Sequence, residues 1–158
     1  MSQLLRAYID KSSWGKGPWH VEADTLVWAD SDTGLCCVIQ RHPSLGHLCG
    51  YVGTPLALLA NEDPNALDVH GGITYHERRA PTEDEYLPET ARGLFWVGFD
   101  CGHSKDLSPG LLARYPDHTR PRGQYRDIGF VESEVQSLAR QLYQCKSPLW
   151  WLAQRAEL

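Results

Sequence analysis

The sequence predicts an α+β fold. An antiparallel or mixed β-sheet carries a helix at the N-terminus and a longer helix near the C-terminus packed on one face. Three observations predict it. Five β-rich runs are separated by turn signals such as DSDTG and PSLGH. One stretch, IGFVESEVQSLARQLYQ, repeats its apolar residues at helical spacing. The length, 158 residues, suits a single domain spanning 1–158. A chain of that size buries roughly 70% of its unfolded surface without disulfides or metal.

The elements follow in order. Leu4, Leu5, Tyr8 and Ile9 fall at helical spacing and predict a first short helix ending between Lys11 and Gly15. After the turn GKGPW, the run from Val21 to Trp28 reads as a strand. LCCVIQRH and LCGYVGT read as two more, giving an antiparallel meander. PLALLANEDPNA predicts one or two helical turns. LDVHGGITYHER predicts a strand interrupted at Gly71-Gly72, because paired glycines in a strand mark a bulge or a close backbone approach. RAPTEDEYLPETARG is acidic and proline-bearing, hence a surface loop.

LFWVGFDCG is the most apolar run and predicts a central strand. The roughly 25 residues from His103 to Asp127 contain three prolines and predict a long loop, of the kind that usually carries function. In the C-terminal helix Val131, Val135, Leu138 and Leu142 share one face, with Phe130 at its edge. The chain closes with CKSPLWWLAQRAEL.

A net charge of −5 argues against duplex nucleic acid as a partner, since such binders present a basic face. A small anionic ligand needs only a local pocket, and Arg114, Arg120, Arg122 and Arg126 cluster in sequence. The five cysteines include no CxxC pair. No apolar leader opens the sequence, and no run approaches the ~20 residues a membrane span needs. These features predict reduced thiols and a cytoplasmic protein with no membrane partner.

Two segments carry candidate chemistry. In DVHGGITY, strand spacing puts Asp68 and His70 on one face. Gly71 and Gly72 leave backbone amides uncovered by any Cβ, suited to an anion, and Thr74 and Tyr75 follow as ligand contacts. In FDCGHSKD, Asp100, His103 and Asp106 gather where the central strand runs out. Two chemistries fit. Asp100, His103 and Asp106 are candidate ligands for a divalent metal, with zinc, manganese or iron suited to mixed carboxylate and imidazole ligation. Alternatively His70 and His103 act as metal-free acid and base, oriented by Asp100 and Asp106. Cys101 as a nucleophile ranks below both, because it continues a run of core residues. Arg126 stands just before the helix, free to reach a phosphate, with Asp127 as the helix N-cap. Tyr51, Tyr75 and Trp96 are candidate stacking surfaces for a base.

The series GHLCGYVG, DVHGGITY, FWVGFDCGHSKDLSPG and YRDIGFVESEVQSLARQL, spanning Gly46 to Leu142, resembles a group of small proteins found in phage and prophage genomes. The resemblance implies a phage accessory protein in the bacterial host cytoplasm. Small phage proteins of that kind include hydrolases and sponges that remove host nucleotide immune signals. The two-histidine phosphodiesterases, by contrast, carry His-x-Thr/Ser motifs. His70 with Thr74 and His103 with Ser104 have different spacings.

The function expected is therefore a small hydrolase acting on a nucleotide or another phosphate-bearing molecule. The alternatives are a binding protein that sequesters such a ligand without turnover, and an interaction protein that dimerises through the Trp150-Trp151 tail.

Overall fold

A computed structural model describes residues 2–55, 64–116 and 123–144. Six strands form one sheet in the order β1-β2-β3-β4-β6-β5: β1 (Ser2–Ala7), β2 (Thr25–Ala29), β3 (Cys36–Arg41), β4 (Leu48–Thr54), β5 (Tyr75–Glu77) and β6 (Phe95–Asp100). Every pairing is antiparallel, so the sheet is not mixed. The most apolar run, β6, lies between β4 and β5, as expected of an interior strand. Two α-helices stand among the described residues, α1 (Pro109–Arg114) and α2 (Ile128–Gln144).

The N-terminal segment corrects the sequence reading, because residues 2–7 are an edge strand and not a helix. The register against β2 slips between Gln3 and Leu5. A bulge there breaks strict alternation, so the segment lacks the period-2 signature of a strand. Pairing along β2 satisfies the backbone of a segment too short to hold a helix alone. Tyr8 and Ile9, counted into that helix, lie beyond the strand and are exposed.

Helix α2 covers one face of the sheet. Val131, Val135, Leu138 and Leu142 are fully buried against Ile39, Leu48, Val52, Val97 and Phe99. Each such side chain contributes about 1.5–3 kcal/mol of burial. Gly50 permits this close packing: a Cβ there would lie 2.5 Å from Val135. The other face buries Val27, Val38 and Trp96 beneath Leu87 and Ala91. Those two residues come from the predicted surface loop, which makes two 3-10 turns, Asp84–Tyr86 and Glu89–Ala91.

A buried charge network ties the β2–β3 side of the sheet to the start of α2. Arg41 and Asp24 are each 1% exposed. Arg41 donates to Asp24, Glu22, the Gly46 carbonyl and the Tyr125 hydroxyl. Lys11 donates to the other Asp24 oxygen at 2.6 Å. Two cations thus meet two carboxylates, which is how charge survives burial. Read from the sequence alone, none of these residues belongs to a core.

No helix among the described residues is long and apolar enough to cross a membrane. Residues 56–63 of the predicted helical turns, Arg120, Arg122, Cys145 and the Trp150-Trp151 tail lie outside the described residues.

Candidate functional site

The site is assembled where β6 ends and α2 begins. Between them runs the predicted long loop, which contains α1 and closes on itself. Leu107 N–H donates to the Gln124 carbonyl and Gln124 N–H to the Lys105 carbonyl, making a short parallel bridge at Asp106 and Gln124. Gly123 is crowded against this bridge, since a Cβ there would lie 2.4 Å from the Asp106 carbonyl carbon. This lacing brings Arg126, twenty residues on, to Asp106.

Asp106 is the centre. Its side chain is 1% exposed. Its carboxylate accepts from His70 Nε2 at 2.9 Å, from Arg126 Nε at 2.9 Å and from the His103 amide at 3.1 Å. Burial alone would raise its pKa. The hydrogen bonds from His70, Arg126 and the His103 amide outweigh burial and hold the carboxyl below the usual range. An ionised carboxylate only accepts, so His70 donates through Nε2–H; in a neutral ring Nδ1 is then the acceptor nitrogen.

His70 is presented by a turn rather than by the expected strand. Gly72 N–H donates to the Val69 carbonyl, and the strand starts only at Tyr75. Helix α2 moors this turn: the Gln141 side chain hydrogen-bonds both N–H and C=O of Asp68. Both glycines have positive φ, +70° and +82°. The expected close approach is real at Gly71, whose Cβ position would lie 2.2 Å from His103 Nε2. The expected pair of free amides is not formed, because the Gly72 amide is used within the turn.

His103 stands between two carboxylates. Its amide faces Asp106, and its Nε2 lies 3.5 Å from Asp100 Oδ1. That contact lacks hydrogen-bond geometry, and the nitrogen is buried without a hydrogen-bond partner. Asp100 itself accepts from the Thr74 hydroxyl and the Gly102 amide. The two imidazoles meet edge to face, centroids 5.9 Å apart, and His70 stands likewise against Phe130 at 5.2 Å. The Arg126 guanidinium lies 5.0 Å from the Phe130 centroid.

The structure therefore brings together His70, His103, Asp100, Asp106, Arg126, Gly71 and Thr74. Tyr51 and Tyr75 stand beside this group rather than in it, the Tyr51 hydroxyl near enough to Asp100 to feel its charge. They pack ring against ring, 5.1 Å apart, on the sheet face opposite α2, with Trp96 buried in the same cluster. As metal ligands Asp100, His103 and Asp106 do not converge. Among the described residues no group of three or more His, Cys, Asp or Glu is placed to hold a metal ion. Cys101 is buried, and burial raises its thiol above the ordinary range, which disfavours the thiolate that nucleophilic attack needs.

Sequence reasoning missed His47. It is 6% exposed, meets the Ser108 hydroxyl through Nδ1 at 3.2 Å and stacks on His42. Gly102 passes directly over it: a Cβ there would lie 2.8 Å from its ring. The sharp turn that presents His103 is thus packed on another histidine. Gly46-His47 beside a strand was the available signal.

No protein-family model, curated protein or solved structure matches the chain.

Proposed function

We propose that this site binds a phosphate-bearing small molecule, most naturally a nucleotide, and hydrolyses it by metal-free acid–base catalysis. The observation that carries the reading is a single buried carboxylate, Asp106, holding both an imidazole and a guanidinium. Here the same anion fixes a proton-transfer group and a phosphate-binding group side by side.

In this reading His70, with Nε2–H committed to Asp106, takes a proton from the attacking water through Nδ1. His103, whose backbone amide is held by Asp106 and whose Nε2 is covered by Gly71, gives a proton to the leaving oxygen through Nδ1. Arg126 meets the phosphoryl charge through its terminal nitrogens, its Nε being occupied by Asp106. General acid–base catalysis of this kind contributes about 10²–10⁴-fold. The resemblance to phage proteins supplies a context, a host nucleotide immune signal met in the bacterial cytoplasm.

A second reading, sequestration without turnover, is favoured by one observation: Gly71 covers His103 Nε2, which leaves that histidine a single usable nitrogen. One experiment separates the two. The native chain and His70→Ala are incubated with cyclic and linear nucleotides, and the bound and free fractions are analysed by mass spectrometry. Cleaved product from the native chain alone supports the hydrolase. Ligand recovered whole supports sequestration. No binding and no product from the panel contradicts both.

A further inference from the structure

We propose that Glu22 is a positioning residue for Arg126, acting across the molecule from the buried charge network. The proposal rests on the reading of Arg126 as the anion-binding arm. Glu22 spans the four-residue strip that carries it. One carboxylate oxygen accepts from the Tyr125 hydroxyl and the other from the Ile128 N–H at 2.8 Å. Arg126 and Asp127 lie between these two fixed points. Asp127 turns its carboxylate to the Phe130 N–H as the helix cap, and Arg126 turns to Asp106. Three consecutive residues thus do three jobs, and Glu22 fixes the backbone beneath them.

Glu22 is in turn held by its surroundings. Arg41, whose side chain is fully buried, donates to Glu22 and to the Tyr125 hydroxyl. The Tyr125 ring stands edge-on to Trp19 at 5.2 Å. An arginine side chain carries about 2 kcal/mol of rotamer entropy, so Arg126 holds one geometry only if its backbone is already fixed. Asp106 fixes the head of Arg126, and Glu22 fixes its root. Arg41 also neutralises the Glu22 charge, so the clamp adds no net repulsion to an arriving anion.

The test reads Arg126 directly and needs no ligand. In ¹H–¹⁵N spectra of the full chain, the Arg126 Nε–H signal, assigned by its loss in Arg126→Lys, is expected downfield and protected from exchange. Glu22→Gln keeps the size of the side chain but sets an amide against a donor. The signal should then move to the position of solvent-exposed arginines and exchange roughly tenfold faster or more, as befits loss of a charge-assisted hydrogen bond. Tyr125→Phe keeps the ring on Trp19 and removes one of the two fixed points, so it should give a partial shift of the same sign. Should Glu22→Gln fail to fold, Tyr125→Phe carries the test.

A merely structural Glu22 would lower the melting temperature and leave the Arg126 signal unmoved, and that result overturns the proposal. Failure of the native chain to bind inorganic phosphate would remove the anion-site reading while leaving the signal change intact, so the two failures are distinguishable.

Discussion

The backbone of Gly71 lies directly against the ring of His103, so close that a methyl group on Gly71 would sit 2.2 Å from Nε2. A glycine in one loop thus sets the position of a histidine in another, although neighbouring strands separate them in sequence. Gly72, with nearly the same positive φ, has open space around its Cβ position. The pair makes a controlled experiment. Gly71→Ala and Gly72→Ala should each cost about 1–2 kcal/mol from left-handed backbone strain, measured by urea denaturation. Only Gly71→Ala should swing the His103 ring away, seen as loss of the ring-to-ring nuclear Overhauser effect with His70. Retention of that effect in Gly71→Ala would refute the contact.

Asp106→Asn should cost roughly 3 kcal/mol, because it withdraws the buried anion that two cationic or polar partners and one amide share. The depressed pKa of Asp106 adds a pH signature. The unfolded chain holds a proton on this carboxyl to higher pH than the folded chain does. The stabilisation is therefore complete above the unfolded value of about 3.9 and is lost as pH falls through the lower folded value. The native protein should show this acid limb in its denaturation midpoints, and Asp106→Asn should show a shallower one. Equal slopes would contradict the assignment.

His47 predicts a second pH dependence at higher pH. Burial, reinforced by neighbouring His42, lowers its pKa below the ordinary histidine value. The unfolded chain then binds the proton first. The contribution is complete above the unfolded value of about 6.5 and declines as pH falls towards the folded value. His47→Gln should flatten the loss of stability as pH falls below about 6.5. A variant with the native slope would show that His47 is not the responsible group.

The four described thiols should be inert in the folded chain. Burial pushes Cys36 up to about 11 and Cys49 up to about 12, and raises Cys37 and Cys101 as well. In a Cys145→Ser background, Ellman's reagent near pH 8 should label almost nothing until denaturant is added, then four groups. Rapid labelling of Cys101 in the native state would reopen nucleophilic thiol chemistry.

What was legible in the sequence follows from how far each signal reaches. Strands β2, β3, β4 and β6 and helix α2 were legible because alternating or continuous apolar runs and the period-3.6 pattern are local, whereas β5 is only the end of the strand expected over LDVHGGITYHER. β1 was not, because a bulge interrupts its pairing with β2 while Leu4, Leu5, Tyr8 and Ile9 fall at helical spacing in the sequence. His70, His103, Asp100, Asp106 and Arg126 were legible as chemistry because glycine and a strand end advertised them. Tyr51 and Tyr75 were assigned to the same ligand by residue type, and only the sheet places them on the face opposite α2. The Lys11–Asp24–Arg41–Glu22 network was illegible, because each residue alone reads as surface charge and only the meander brings them together.

The most direct measurement is a titration of the ¹⁵N-histidine-labelled chain with inorganic phosphate and with adenosine monophosphate, following the imidazole signals. Saturable shifts at His70 and His103 that vanish in Arg126→Ala are the predicted result. Absence of any saturable change at either ring up to about 10 mM, weaker than a useful small-ligand affinity, would contradict a phosphate site at Asp106.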